Sequence, residues 1–300
     1  MARALLITNP VAARTDPTVG STVRRIFRAN GWSVDVAETT RPGDSRRLAE
    51  TAVQDSVDVV AVFGGDGTTM QAASALVGSG VILGLVPGGT GNVLAGNLRV
   101  PTSPIAATEL IVHGRSRRID LGRVERSDGV HYFSVACGAG ADARIMGGTL
   151  TGDKRRWGIG GYFATMARVL PEIRSTVHAI TVDGRRFETP AAVALVLNCG
   201  ELIPPLVRFR RDTKPDDGLL DLVVVAADSV WECTRAVLRA FQNVVLDTGA
   251  TSYLLYDRGE QITIETEIPE PVQFDGDLAG ITPVTTTVVP GALSIFAPRP

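Results

Sequence analysis

Two lysines, Lys154 and Lys214, are all that the 300 residues contain, and neither follows a glycine. A Walker phosphate loop, which needs Gly-Lys followed by Ser or Thr, is thereby excluded. Cysteine is scarce too. Cys137, Cys199 and Cys233 stand in apolar contexts with no CxxC pair, the pattern of reduced core residues in a cytoplasmic chain. The histidines His113, His131 and His178 fall in no HExxH motif and at no i, i+4 spacing with another ligand, which leaves no histidine-built zinc site. No run reaches the roughly 20 apolar residues of a membrane span, and MARALLITNP reads as a first strand rather than a signal peptide. Surplus charge is also missing. Thirty Lys and Arg against 32 Asp and Glu leave a net charge of -2, far from the basic excess of a general nucleic-acid binder. The clusters Lys154–Arg156 and Arg208–Arg211 read as solvated faces.

What is present is an ordinary globular balance, 44% hydrophobic and 21% charged, long enough for two domains. The first third alternates strands and helices. Ala4–Thr8 reads as a strand, Pro17 opens a helix that Asn30-Gly31 stops, and Trp32–Ala37 alternates as a strand. Asp44 or Ser45 caps the next helix. Val57–Phe63 and Val81–Val86 are continuous apolar runs, as in the buried centre of a parallel sheet. This predicts a doubly wound α/β domain ending near Gly122. Beyond it, residues 131–137, 177–182, 191–198, 219–225, 252–256, 261–267 and 284–289 read as strands, with Asp183-Gly184 as a hairpin turn. Tyr162–Ile173 and Ser229–Val244 read as helices. The α/β half therefore ends near residue 122 and an antiparallel β-rich half follows, with one more apolar strand in Gly291–Pro300.

Two glycine turns carry the chemistry. Gly64-Gly65-Asp66-Gly67-Thr68 lies between a buried strand and a helix, where open α/β sheets bind ligands. Its glycines let backbone approach a phosphate, and the N–H groups opening the helix can point at phosphate oxygens. Asp66 is a poor neighbour for a bare polyphosphate, a conflict that Mg²⁺ removes. Pro87-Gly88-Gly89-Thr90-Gly91-Asn92 repeats the arrangement after the next strand. Thr90 and Asn92 offer uncharged hydrogen-bond groups, and Asn9 and Thr39 close two other strands on the same side. Gly138-Ala139-Gly140-Ala141-Asp142-Ala143 also fits a dinucleotide fingerprint, but neither a clean helix nor a second strand ending in an acid follows it.

These residues resemble the diacylglycerol kinase catalytic family, which includes the sphingosine kinases and related bacterial lipid kinases. The matching pieces are ITNPVA at 7–12, TTRPGDS at 39–45, VFGGDGT at 62–68 and VPGGTGNVLA at 86–95. Further matches are DDGLLDLVVV at 216–225, VQFDGDLAG at 272–280 and VPGALSIFAP at 289–298. They span nearly the whole chain. The GGDGT motif is shared with NAD kinases and phosphofructokinases, whereas PGGTGN and the late DGD select lipid kinases. The resemblance implies an α/β nucleotide domain, a β-sandwich-like second domain with the last strand returning to the first, so that residues 1–122 plus 291–300 form one domain and residues 123–290 the other, and transfer of the ATP γ-phosphoryl group to a lipid hydroxyl in an interdomain cleft. It implies ATP contacts from Asn9, Thr39, Gly64, Gly65, Asp66, Gly67, Thr68, Gln71, Gly89, Thr90 and Asn92. Asp66 would help hold a catalytic Mg²⁺, and Lys214, Asp217 and Leu219 a structural one. Asp277, with Asp275 beside it, would supply the base. In a pair of acids flanking one glycine, mutual repulsion would raise the proton affinity of one.

Three motifs depart from the family pattern: Met70 and Gln71 stand where GGDGTxNE is usual, Val93 where GTGND has its acid, and DGD where DGE is usual. A NAD kinase would share GGDGT but needs a nicotinamide-nucleotide site, and a non-catalytic lipid-binding or regulatory protein would show no ATP turnover. The expected partner is a lipid at the inner face of the membrane, touched peripherally. Trp157, Tyr162 and Phe163 beside Lys154–Arg156 read as helix packing more readily than as an interfacial anchor. A homodimer is left open.

Overall fold

The computed structural model describes residues 1–12, 16–140, 143, 175–203, 207–208, 212–226 and 254–299. The expected helices Tyr162–Ile173 and Ser229–Val244 and the Trp157–Phe163 region lie outside the described residues. The chain forms two compact units, residues 1–119 with 291–300, and residues 120–290.

In the first unit, strands β1 (Arg3–Thr8), β2 (Ser33–Glu38), β3 (Val59–Gly64) and β4 (Ile82–Pro87) alternate with helices α1 (Pro17–Ala29), α2 (Asp44–Gln54) and α3 (Asp66–Leu76). Two more helices, α4 (Val93–Asn97) and α5 (Pro104–His113), follow β4. The strand order is β2-β1-β3-β4, all parallel. The final strand adds to β4 in parallel through Ile295 opposite Leu83. Every residue of β3 is buried, as its unbroken apolar run requires at the centre of a parallel sheet. Leu6, Ala61 and Phe63 from the sheet pack with Val23 and Phe27 of α1 and with Phe296. The Asp16 carboxylate caps α1 by accepting from the Thr18 N–H at 2.6 Å, and Asn30 with left-handed Gly31 ends it. Helix α2 departs from expectation: its N-cap is Gly43, left-handed at φ 89°, and neither Asp44 nor Ser45 serves that position. Only glycine takes such a turn without strain, which frees both side chains for other bonds.

The second unit holds two antiparallel layers. The element β5 (Ser116–Arg126) leads into it, followed by β6 (Gly129–Phe133), β7 (Ala136–Gly140), β8 (Thr176–Val182), β9 (Arg185–Ala191) and β10 (Val193–Leu197). A short pair, β11 (Glu201–Ile203) and β12 (Val207–Arg208), precedes β13 (Leu220–Val225), β14 (Leu254–Gly259), β15 (Gln261–Thr266), β16 (Pro271–Phe274), β17 (Asp277–Ile281) and β18 (Val284–Phe296). One layer runs β14-β13-β10-β7-β16-β17. In the other, β15 lies between β18 and β8, and β9 pairs with β8. Their inner faces meet in one core that includes Cys137, Val196, Leu222 and Val272 from the first layer and Ile180, Ile262 and Val284 from the second. This is the β-sandwich-like second domain the resemblance implies. Asp183-Gly184 turns β8 into β9 with both residues at positive φ, the geometry a two-residue hairpin needs.

Two expectations change. The run 131–137 is not one strand: it breaks at Ser134-Val135, so that β6 pairs with β5 while β7 joins the other layer. The stretch 284–289 and the strand expected within 291–300 are parts of one strand, β18, which ends at Phe296. The dinucleotide-like glycines at 138 and 140 lie on β7, between antiparallel β10 and β16, not in a strand-to-helix turn.

Gly122 of β5 faces Phe133 so closely that a β-carbon there would lie 2.0 Å from the ring's Cζ. Phe133 is fully buried and stacks on Phe274, ring centres 6.4 Å apart, so it has nowhere to retreat. Gly122→Ala is expected to lower unfolding free energy by about 1–3 kcal/mol, the usual cost of overpacking. Denaturant unfolding of the two proteins measures it, and an unchanged midpoint would show that the ring does shift.

Candidate functional site

The glycine turns begin where β3 and β4 end. The parallel register sets Gly64 opposite Pro87, and the Gly88 N–H donates to the Gly64 carbonyl at 2.8 Å, extending the ladder past the strands. The next residues approach backbone to backbone. A β-carbon on Gly89 would lie 2.6 Å from Gly65 Cα, so glycine is required there by space alone. Both turns thereby form one edge, with Gly67, Thr90 and Gly91 exposed on it.

Side chains pin this edge. Asn92, left-handed at φ 49°, accepts from the Gly89 N–H at 2.9 Å and donates to the Gly89 carbonyl at 2.8 Å. Asp66 lies in the first turn of α3, and its Oδ1 accepts from the Val93 N–H at 2.6 Å. Its Oδ2 would lie 2.7 Å from a β-carbon on Gly91, so the absence of a side chain at Gly91 leaves room beside the carboxylate. Helix α3 has N-cap Gly65 and no side-chain cap bond, so its opening N–H groups receive no acceptor from a cap side chain, and such helix openings suit an anion. Gly64, Asp66, Thr69, Pro87, Asn92 and Leu94 line a small recess behind the edge.

Neighbouring strand ends join the same edge. Asn9, after β1, donates from Nδ2 to Thr68 Oγ1 at 2.8 Å. Thr39, after β2, is buried and donates its N–H to the Thr8 carbonyl at 2.8 Å. Gln71 Oε1 accepts from the Gly43 N–H at 3.2 Å, and Ser45 Oγ donates to the Thr68 carbonyl at 2.7 Å. The residues expected to contact ATP thus all lie at the carboxyl ends of four adjacent parallel strands or in the first turns of α3. Asn92 and Gln71 do so as braces of the turns, each with its amide bonded to backbone.

Sequence reasoning missed what Asp44 does. Its Oδ2 accepts from the Thr40 N–H at 2.9 Å, the Thr40 hydroxyl at 2.8 Å and the Arg41 N–H at 3.1 Å, with Arg47 at 3.3 Å from Oδ1. These bonds, led by the Thr40 N–H, hold the carboxyl well below the usual carboxylate range. The loop 39–45 is folded around this one side chain. The signal available was Thr-Thr-Arg-Pro-Gly-Asp, a Thr four residues before an acid.

The remaining candidates belong to the second unit. Asp275 and Gly276 form the turn between β16 and β17, at φ 47° and 94°. Asp275 is engaged on both oxygens. Oδ2 accepts from the Ser134 N–H at 2.7 Å and hydroxyl at 2.9 Å, and Oδ1 from the Val135 and Ala136 N–H groups, each at 2.9 Å. Burial pushes its carboxyl upward and these donors oppose that shift. The cause differs from the expected repulsion by Asp277. Asp277 opens β17 and is exposed.

In the loop 212–219, Lys214 is exposed and Asp217 Oδ1 accepts from the Leu219 N–H at 3.2 Å. Asp120, which sequence reasoning missed, clasps this loop by donating its N–H to the Pro215 carbonyl at 2.6 Å and accepting from the Gly218 N–H at 2.7 Å. Arg258, also missed, lies 3.6 Å from Asp217 and 2.9 Å from Asp221. Burial is the main cause that raises the Asp217 carboxyl, with Asp221 and Asp120 adding to it and Leu219 and Arg258 opposing.

Comparisons agree with this arrangement. A diacylglycerol kinase catalytic domain family matches residues 3–124, and a YegS C-terminal NAD kinase beta sandwich-like domain family matches residues 135–297. A diacylglycerol kinase of Mycobacterium tuberculosis is 30% identical over 98% of this chain and 94% of its own. One from Staphylococcus aureus is 23% identical, covering 90% and 84%. The crystal structure of a diacylglycerol kinase from Bacillus anthracis superposes with TM-score 0.77 at 23% identity, over 99% of this chain and 97% of that one. A second structure from that organism gives 0.84 at 24%.

The Asp44 clamp has a pH signature. Its folded value is depressed, so its contribution is complete above the unfolded value of about 3.9 and is lost as pH falls toward the lower folded value. Asp44→Asn should therefore melt below the parent at pH 7 by a margin that narrows toward pH 3. Thermal unfolding at both pH values tests this, and a gap that stays constant would mean the charge is not what holds the loop.

Proposed function

The chain belongs to the diacylglycerol kinase family, and from that premise we propose that it transfers the γ-phosphoryl group of ATP to a hydroxyl of a lipid such as diacylglycerol. The observation that carries this reading is Asp66, seated at the opening of α3 between two glycine turns that meet backbone to backbone. Phosphoryl transfer asks the protein for in-line positioning, charge neutralisation and a group to accept the hydroxyl proton. The N–H groups at the start of α3 and the bare glycine backbone supply positioning and partial positive charge for phosphate oxygens. Asn9 fixes Thr68, and Asn92 fixes Gly89, so this backbone is set before nucleotide arrives.

Magnesium fits two places. At Asp66, a carboxylate beside a position with no β-carbon offers both a ligand and room. In the loop 212–219, Thr213 Oγ1 is buried without a hydrogen-bond partner, and a burial-raised Asp217 is accompanied by Asp120 and Asp221. Among the described residues no three acid, His or Cys side chains converge on one point. A cation there would lean on Asp217 and the carbonyls of Lys214 and Leu219, a sparse oxygen set suited to Mg²⁺, which keeps several waters. Bound at Asp66, magnesium would neutralise phosphate charge; in the loop it would tie the chain.

Asp277 is the base in this reading. It is exposed, and both oxygens of neighbouring Asp275 are occupied. The acceptor is presented by a membrane touched peripherally from the cytoplasm. Among the described residues no helix is long and apolar enough to cross one.

Labelled ATP with Mg²⁺ and a panel of diacylglycerol, sphingosine, ceramide, phosphatidylglycerol and NAD tests the reaction. Transfer to one of the lipids is expected, transfer to NAD alone would replace the acceptor class, and no transfer would end the reading. With the active lipid, Asp277→Asn should keep ATP affinity while turnover falls about 10²–10⁴-fold, the usual loss for a general base. Near-normal turnover would place the base elsewhere.

The loop metal is tested without activity. Millimolar Mg²⁺ is expected to raise the melting temperature of the parent and to do so less in Asp217→Asn. Equal shifts in both proteins would remove Asp217 from any metal site.

A further inference from the structure

Asp275 joins parts of the chain that lie far apart in sequence. Its carboxylate accepts four hydrogen bonds from Ser134, Val135 and Ala136, roughly 140 residues earlier. In return its own N–H donates to the Ala136 carbonyl at 2.9 Å. Two of the three donor residues, Ser134 and Val135, are where the expected strand 131–137 breaks, and Ala136 opens β7 just after it. A broken strand leaves N–H groups without a ladder partner, and such groups are costly when buried. Asp275 supplies their acceptor.

The break is also held from its other side. Asn198, fully buried, donates from Nδ2 to the carbonyls of Ser134 and Asp120, each at 2.9 Å, and its N–H donates to the Val135 carbonyl at 2.8 Å. Ser134 and Val135 are thus a fixed platform rather than a loose connection. The hairpin tip sits on it. Gln273 Oε1 accepts from the Gly276 N–H at 2.6 Å, and Phe274, paired with Asp277 across the hairpin, stacks on Phe133.

We propose that Asp275 is a positioning residue: by locking the β16–β17 turn onto the Ser134–Ala136 break it sets where the Asp277 carboxylate stands, and it does not itself take the substrate proton. This rests on the reading of Asp277 as the base. With both oxygens occupied, Asp275 has no lone pair directed at a substrate without first giving up its donors. Among the described residues, Asp277, two residues on and at the other end of the turn, is held through its strand pairing with Phe274. Its direction therefore follows that of the turn.

The test separates the lock from the chemistry. Amide hydrogen exchange reads the lock with no lipid present. In Asp275→Asn the Ser134, Val135 and Ala136 amides should exchange at least about tenfold faster while those of β10 and β13 keep their protection. Unchanged protection at the three amides would overturn the lock. Kinetics with ATP, Mg²⁺ and the active lipid read the positioning. Asp275→Asn should lower kcat about 10- to 100-fold with the KM for ATP unchanged, and the double variant with Asp277→Asn should be no slower than Asp277→Asn alone. A loss that multiplies in the double variant would overturn the proposal, because a residue acting through Asp277 has nothing left to position. If Asp275→Asn does not fold, Ser134→Ala removes one donor and leaves the carboxylate. It should lower kcat a few-fold in the parent and not in the Asp277→Asn background, and equal losses in both would overturn the proposal. Near-normal turnover of Asp277→Asn with faster exchange in Asp275→Asn would leave the lock standing and end the reading of Asp277 as base.

Discussion

The first unit's candidate site depends on one backbone contact. Strands β3 and β4 end in register, Gly64 opposite Pro87, and the chain must leave the two strand ends without separating them. A side chain on Gly89 would lie 2.6 Å from Gly65 Cα, so the turns close only if that residue has no β-carbon. The consequence reaches further than packing. With no side chains between them, the exposed backbone of Gly67 and Gly91 lies along a single edge with the opening of α3, where peptide dipoles contribute positive potential. A chain with two lysines, neither in a glycine turn, offers backbone rather than ammonium groups at this edge.

Backbone built this way needs to be held, and the protein uses carboxylates for the purpose. Asp44 gathers the N–H groups of Thr40 and Arg41, Asp66 that of Val93, and Asp275 those of Ser134, Val135 and Ala136. Hydrogen bonds to an ionised acceptor are roughly twice as strong as neutral ones. Each lock also satisfies groups that neither a helix nor a sheet ladder reaches. The same device therefore serves in both units, at short range within a loop and at long range between strands.

Periodicity made much of this legible. The buried runs that became β3 and β4, the Pro17 and Asn30-Gly31 limits of α1 and the Asp183-Gly184 hairpin follow from local rules, and the glycine turns mark the strand ends that form the candidate site. What the sequence hid was whatever depends on distant partners. Residues 131–137 read as one strand because every side chain in the run suits a strand. The break appears only once Asp275 and Asn198 arrive to satisfy the freed backbone groups. Gly43 displaced Asp44 from the cap of α2 for a related reason: an acid whose oxygens are taken by the preceding loop has none left for the helix. Asp120 and Arg258 were invisible around the loop 212–219, since neither lies near it in sequence and neither stands in a motif.

The departure at Val93 becomes intelligible in the same terms. The position meets Asp66 through its backbone N–H, a contact that any residue except proline can make, so the tie between the two glycine turns survives the loss of an acid there. The side chain is close as well. Val93 Cγ2 and Asp66 Oδ2 lie 3.5 and 2.7 Å from the same point, the place a β-carbon on Gly91 would occupy. A second carboxylate so near would repel the first and call for more cationic charge to hold both ionised. Valine instead gives Asp66 an apolar neighbour and leaves it the acid that bridges the turns. The reaction proposed here then asks less of position 93 than the family pattern suggests. In that proposal the charge to be neutralised belongs to the phosphates, and a single carboxylate with room beside it would bring the cation to them.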